Sequence, residues 1–408
     1  MLTKNENNAE FVKKVKEALN RGSNLYEDKQ RIAEITFTSI TPWKVGDAEG
    51  KRRDVPTPDT IVGKTRWFLR TVYNTFCASN LYSYEESFDF VNNFLGSNSK
   101  ASLFTVEVSQ TEKKSPMKND RKVKSPISIE DNFIVKIYQT FAYPEKDEVA
   151  KFKDIFIGGL LITLAYIGIG KGANRGYGRF YPVEIVYNES SEESSVKEIA
   201  KKIQSGYIRE AFETYYDLFV DNNPKDKCSK DKRNDWRKSS VPLAPRLEDE
   251  YGIGLKVVKV DDRIVKSPVN FIKCIVNKKK TLNNLPRNNL LSTEEIACLR
   301  GKNEEEKAEN EESAEKRRKR GRISFLDITP VYKIINNREQ LCCIAFIPFL
   351  SLVDYNKKCS EKDFEKIFNT LTNDALKHCL SGFKGRTEGY DRKPYRENRG
   401  WKGRERKW

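Results

Sequence analysis

Residues 168–180, GIGKGANRGYGRF, constrain the fold more than any other stretch. Gly168, Gly170, Gly172, Gly176 and Gly178 fall within eleven positions, with Lys171, Arg175 and Arg179 interleaved. Glycines reach positive φ and let backbone approach a bulky partner closely. An apolar segment, IFIGGLLITLAYI, runs into the stretch and a β-patterned one, RFYPVEIVY, runs out of it. Gly168, Gly170 and Ala173 match a G-x-G-x-x-A dinucleotide fingerprint, but that fingerprint needs a helix opening at once. Asn174-Arg175-Gly176-Tyr177-Gly178 cannot open one, and Pro182 follows soon after. The basic side chains and the stacking face of Tyr177 suit a phosphodiester backbone better than a small neutral ligand. A plain surface loop is the competing reading.

Charge points the same way. The 75 Lys and Arg against 59 Asp and Glu leave a formal charge of +16, which favours a polyanionic partner, nucleic acid or an anionic membrane surface. The apolar run at 155–170 is short, contains several glycines and is flanked by Lys153, Asp154 and Lys171, so a buried helix is expected rather than a membrane span. The eight cysteines have no C-x-x-C spacing and the N-terminus is polar, with no secretory signal. A reduced, cytoplasmic protein with scattered thiols is expected. His378 is the only histidine, so neither a metal nor a cofactor is expected.

Along the chain, residues 1–30 form a polar extension with a helical pattern at 8–20. RIAEITFTSIT (31–41) reads as a strand and IVGKTRWFLRTVYNTFCAS (61–79) as an amphipathic helix, with Lys64, Arg66 and Arg70 near its start. The Gly63-Lys64-Thr65 triplet is no phosphate loop, because Pro58 stands where a Walker motif needs glycine. Strands are expected at 101–111 and 132–143, joined by a Lys/Ser/Pro-rich connector. An apolar helix at 149–167, the glycine loop and a strand at 179–188 follow. Strand, helix, strand, strand, helix, strand is the split βαβ order of a ferredoxin-like domain.

A composition change at 188–198 marks a boundary. Beyond it lie a helix at 197–220, strand-like pieces in PRLEDEYGIGLKVVKV and VNFIKCIVN, and a solvated acidic-to-basic insertion at 303–322. ISFLDITPVYKII and QLCCIAFIPFLSLV read as two buried strands joined by a turn at Asn336–Glu339, and 361–381 as an amphipathic helix closed by Gly382. The expected class is α+β: two ferredoxin-like (RRM-like, βαββαβ) domains at 31–190 and 191–382, the second degenerate with insertions. The basic tail at 383–408, expected to be disordered alone, mixes Arg, Lys and Gly with Tyr and Trp. It suits either RNA contact or solubilisation.

A ferredoxin-like domain ending in helix, basic glycine loop and RGYGRF strand resembles the RAMP superfamily of CRISPR–Cas proteins. The helix TIVGKTRWFLRTVYN after FTSITPWKVGDAEG is similar to the two-domain Cmr branch, subunit one of the type III-B RNA-silencing complex. There a strand runs into a threonine-proline turn, here Thr41-Pro42. A G-K-x-R-W-x-x-R helix follows, here Gly63, Lys64, Arg66, Trp67 and Arg70. GRISFLDITPVYK resembles the family's R-x-S-P-L-x-I-x-P element, with Phe325 where proline is common. The resemblance implies a subunit that holds the 3′ part of the CRISPR guide RNA and helps capture complementary target single-stranded RNA beside other Cmr RAMP subunits. It implies no catalytic residue and no membrane.

The expected RNA-binding set is Lys64, Arg66, Arg70, Lys171, Asn174, Arg175, Tyr177 and Arg179. Trp67 has a core role or a stacking role, and Arg70 a phosphate or an acidic neighbour. Two alternatives stand beside RNA binding. One is a RAMP-type metal-independent endoribonuclease that processes CRISPR RNA. It needs acid–base groups at the scissile bond, and His378 sits among core-like neighbours. The other is a scaffold subunit whose basic surface meets acidic partners.

Overall fold

The computed structural model describes residues 31–41, 43, 55–111, 132–140, 146–170, 173, 176–187, 194–223, 227–229, 234–235, 238–247, 254–259, 326–335 and 338–350. The expected helices at 8–20 and 361–381, the segment VNFIKCIVN, the insertion at 303–322 and the tail at 383–408 lie outside them. The architecture is mixed α+β with two antiparallel sheets.

The first sheet comprises β1 (Arg31–Ser39), β2 (Phe104–Gln110), β3 (Phe133–Gln139) and β4 (Phe180–Tyr187), in the order β2-β3-β1-β4. All neighbouring pairs are antiparallel. Two crossovers build it. The first holds α1 (Pro58–Phe76) and α2 (Glu85–Leu95), the second α3 (Lys146–Ile162) with a π-helical continuation at Thr163–Ile167. Alternation fixes the register: Ala33, Ile35 and Phe37 on β1 face the core with Phe133, Val135 and Ile137 on β3. On the opposite face Glu34 pairs with Lys136, which pairs with Glu107.

From Ile155 onward the expected helix at 149–167 is apolar around its whole circumference, and Ile155–Ile157 and Leu160–Ile167 are buried throughout. Such a helix must be covered on all sides. The cover comes from the sheet, from α1 and from two further helices, α4 (Ser195–Gln204) and α5 (Ile208–Asp221). Gly158 and Gly159 allow this. A Cβ on Gly159 would lie 2.9 Å from Leu69 Cδ2 and from Tyr215 Oη, and one on Gly158 would lie 3.0 Å from Tyr215 Cδ2. Among the described residues no helix is long and apolar enough to cross a membrane.

Two differences from the sequence reading concern helices. The expected single helix at 197–220 is two, α4 and α5, because the chain turns at Ser205-Gly206, where Gly206 takes φ +75°. The helix α2 was not anticipated. Val91, Phe94 and Leu95 recur at helical spacing, Glu85 and Glu86 occupy the first turn, and Gly96 ends the helix at φ +78°.

The second sheet, in the order β5-β7-β6, comprises β5 (Lys256–Lys259), β6 (Leu326–Ile335) and β7 (Arg338–Pro348). It meets expectation for the paired strands around Asn336. One continuous apolar cluster includes residues of both sheets. Tyr332 N–H donates to Tyr181 Oη across the junction at 3.1 Å. The all-thiol expectation fails at one pair: Cys77, capping α1, is bonded to Cys228. The two are neighbours because Ser229 N–H donates to Phe76 O and Asn234 N–H to Thr75 O, laying that segment along the end of α1. Sequence spacing carries no trace of a contact across 151 residues.

Candidate nucleic-acid interface

Helix α1 begins earlier than its apolar pattern, at a cap. Thr60 N–H donates to Thr57 Oγ1 at 3.2 Å, Pro58 occupies the first turn, and Asp59 favours the positive end of the helix dipole. Lys64 and Arg66, two positions apart, point to nearly opposite sides of the helix, and Arg70 lies one turn beyond Arg66 on the same side as it. Lys64 Nζ lies 4.1 Å from the Trp67 ring centroid, and Trp67 packs edge-on against Phe349 at 4.7 Å. Burial pushes the Lys64 amine below its ordinary pKa, against the pull of Asp327.

Arg66 and Arg70 turn toward α2. Arg66 donates to Gly96 O at 2.7 Å, to Leu95 O, and to Asn92 Oδ1 at 3.3 Å. These are the acceptors left open at a helix C-terminus, where a cation is favoured. The Arg70 guanidinium lies 3.6 Å from the Phe88 ring centroid. Burial lowers both arginines, and for Arg70 the nearby Arg66 adds to it. Arg70 thus faces an aromatic ring, and Trp67 takes the packing role.

The glycine loop is built from its two ends. Gly168 N–H donates to Thr163 O at 2.6 Å and closes the π-helical turn, and Ile169 N–H donates to Gly178 O at 3.1 Å. Gly168 (φ +74°) and Gly178 (φ +65°) are required there. A Cβ on Gly168 would fall 1.7 Å from Arg179 Nη1, and one on Gly178 would fall 2.0 Å from Ile169 O. Gly176 sits against Pro330 and Ile328 of β6. These glycines are demanded by the loop's own closure and by its contact with the second sheet.

Arg179 is the keystone of that closure and is fully buried. Its backbone N–H donates to Thr41 Oγ1 at 3.0 Å, and its carbonyl accepts from Ile40 N–H at 2.9 Å. The guanidinium donates to Tyr177 O at 2.8 Å and to Thr329 Oγ1 at 2.6 Å, so one side chain fastens the loop to β6. Burial brings its pKa down to about 10, with Asp327 opposing the shift. Asp327 is itself buried, and its Oδ2 has no hydrogen-bond partner among the described residues. Burial raises its pKa against the pull of Lys64 and Arg179. The half-buried Lys64 and the buried Arg179 and Asp327 thus act on one another electrostatically between α1, the loop and β6. No sequence pattern announces Asp327.

Of the eight expected contact residues, Lys64 and Arg179 are brought together, Arg66 and Arg70 form a second pair against α2, and Tyr177 is half-buried beside Arg179. Lys171, Asn174 and Arg175 lie outside the described residues. Among the described residues no group of three or more His, Cys, Asp or Glu side chains is placed to hold a metal ion.

Residues 36–181 match the model of the RAMP superfamily, a span running from β1 through the glycine loop into β4. No curated protein matches the chain. Among solved structures it is similar to a chain in the cryo-EM structure of type III-B Cmr-beta bound to cognate target RNA and AMPPnP in the presence of ssDNA. The identity is 14% over 85% of this chain and all of the other, with a TM-score of 0.58. A chain in type III-B Cmr-beta bound to cognate target RNA matches at 14% identity over 86% of this chain and all of that one, with a TM-score of 0.55. Cmr1 from Pyrococcus furiosus, in its apo form, matches at 14% identity over 82% of this chain and 95% of its own, with a TM-score of 0.46. The RAMP resemblance read from the motifs is borne out.

Proposed function

We propose that the protein is an RNA-binding subunit of a type III-B Cmr effector, holding the 3′ part of a CRISPR guide RNA and helping to capture target RNA for antiviral defence. The observation that carries this reading is the RAMP match, which spans the glycine loop. The likeness to chains found in RNA-bound Cmr-beta and the formal charge of +16 support it. In this reading each half of the chain, divided near residue 190, is a ferredoxin-like unit. The order β2-β3-β1-β4, with a helical crossover after β1 and after β3, supports that for the first half.

We assign the RNA to the glycine loop rather than to the sheet, whose solvent face mixes Glu34, Glu107 and Glu184 with Lys136 and with Arg31, the latter paired to Glu34 at 2.7 Å. In this reading Arg179 fixes the base of the loop, and Lys171, Asn174 and Arg175, which follow Gly170 in the sequence, supply contacts to phosphates. Such contacts give affinity and register without sequence preference, as a subunit that accepts any guide needs. We assign the protein no catalytic residue and no cofactor, a cytoplasmic setting, and other Cmr RAMP subunits as neighbours.

The test compares binding of labelled single-stranded RNA by the wild type and by Lys171→Ala/Arg175→Ala, with the RNA checked on a gel. The variant should bind about tenfold more weakly whatever the RNA sequence, and the RNA should stay intact. Specific cleavage would replace the proposal with the nuclease reading. Absent binding by a folded wild type would replace it with the scaffold reading.

A further inference from the structure

Three aromatic side chains stand out of the surface within seven residues: Tyr82 (74% exposed), Tyr84 (45%) and Phe88 (40%). They sit on the loop before α2 and on its first turns, remote in sequence from the glycine loop. Scattered exposed aromatics need no explanation, but a clustered set marks an interaction surface. The segment is also held in place. Glu86 accepts from the backbone N–H groups of Ser79 and Asn80, both at 2.9 Å. Asn80 Oδ1 accepts from Tyr82 N–H at 2.9 Å, and Leu81 O accepts from Ser240 N–H at 2.8 Å and Ser240 Oγ at 3.1 Å. Tyr84 meets Phe88 edge-on at 6.2 Å, and the Arg70 guanidinium is stacked on Phe88. A surface fixed beforehand loses little entropy when it binds.

Charge decides the occupant. Tyr84 and Phe88 lie one helical turn apart, and the exposed carboxylates of Glu85 and Asp89 flank them at the same spacing. Arginine stacks on aromatic rings and pairs with carboxylates at once, whereas phosphates are repelled by the acidic pair. Tyrosine, phenylalanine and arginine are also the residue types enriched at protein interfaces. We propose that Tyr82, Tyr84 and Phe88, with Glu85 and Asp89, form a docking surface for a partner protein that presents an arginine- or lysine-bearing segment. The proposal stands apart from the RNA reading and uses none of its residues except Arg70, which supports Phe88 from beneath.

A random-peptide display selection on the purified full chain tests it, with the selected peptides resynthesised and measured by fluorescence anisotropy. The selected peptides should carry two or more Arg or Lys beside an apolar residue. Tyr82→Ala/Phe88→Ala should weaken them about tenfold or more, and Glu85→Lys/Asp89→Lys should do the same. All four positions are at the surface, and circular dichroism confirms that the variants fold. Acidic or charge-neutral selected peptides, or peptides whose affinity survives both variants, would overturn the proposal. So would a loss of single-stranded RNA affinity in Tyr82→Ala/Phe88→Ala, which would make the rings a base-stacking platform. A wild-type dimer that the variant dissociates in ultracentrifugation would overturn it in favour of a second copy of this chain.

Discussion

At the scale of single residues, the fold buries two of its charged groups, Arg179 and Asp327. Asp327 is the clearest case: a buried carboxyl whose Oδ2 lacks a hydrogen-bond partner among the described residues and which feels the charges of Lys64 and Arg179. Its folded pKa lies above the unfolded value, so the native state holds the proton more tightly than the unfolded chain. The stability this contributes is full below the ordinary aspartate pKa of 3.8 and is lost as pH rises through the raised folded value. Asp327→Asn has no proton to lose. Its stability relative to the wild type, measured by urea denaturation, should therefore rise from about pH 4 upward and level off above the folded pKa. A difference constant with pH would show that Asp327 titrates as it does in the unfolded chain.

At the scale of elements, the same residue type serves opposite ends. Gly63 on α1 is exposed, and a Cβ there would meet nothing within 4 Å. Gly159 on α3 is pressed against Leu69 and Tyr215. Gly63→Ala should stabilise the protein by about 0.5–1 kcal/mol, the ordinary helix gain. Gly159→Ala should destabilise it, overpacking of this kind costing about 1–3 kcal/mol. Chemical denaturation of the two variants reads the opposite signs, and a shared sign would refute the account of helix packing. Propensity treats both glycines alike, and this marks how far the sequence could be read. Alternating β1 and β3, apolar α3 and paired β6 and β7 declare themselves, because each buries a face set by its own local period. The split between α4 and α5 rests on a single Gly206, and α2 on a short pattern without a long apolar stripe. The glycine-rich stretch was legible as a loop. Yet Gly168, Gly176 and Gly178 answer to Arg179, Ile169 and Pro330, partners that no spacing reveals.

At the scale of the whole molecule, the proposed RNA-binding role rests on the basic excess and the RAMP match over 36–181, and Arg179 ties the glycine loop to Thr41 after β1 and to Thr329 of β6. Burial of Arg179, the packing of Lys64 on Trp67 and the engagement of Arg66 and Arg70 by α2 occupy those four side chains, so in the proposed reading the phosphate contacts fall to Lys171, Asn174 and Arg175. If several phosphates are neutralised there, binding must release as many counterions. The most direct measurement is the affinity of the full chain for labelled single-stranded RNA across a salt series. A plot of log affinity against log salt should be linear, with a slope of about −0.7 for each phosphate engaged and steeper than about −2 overall. A slope near zero, or no binding by the folded chain at low salt, would contradict an RNA-binding role.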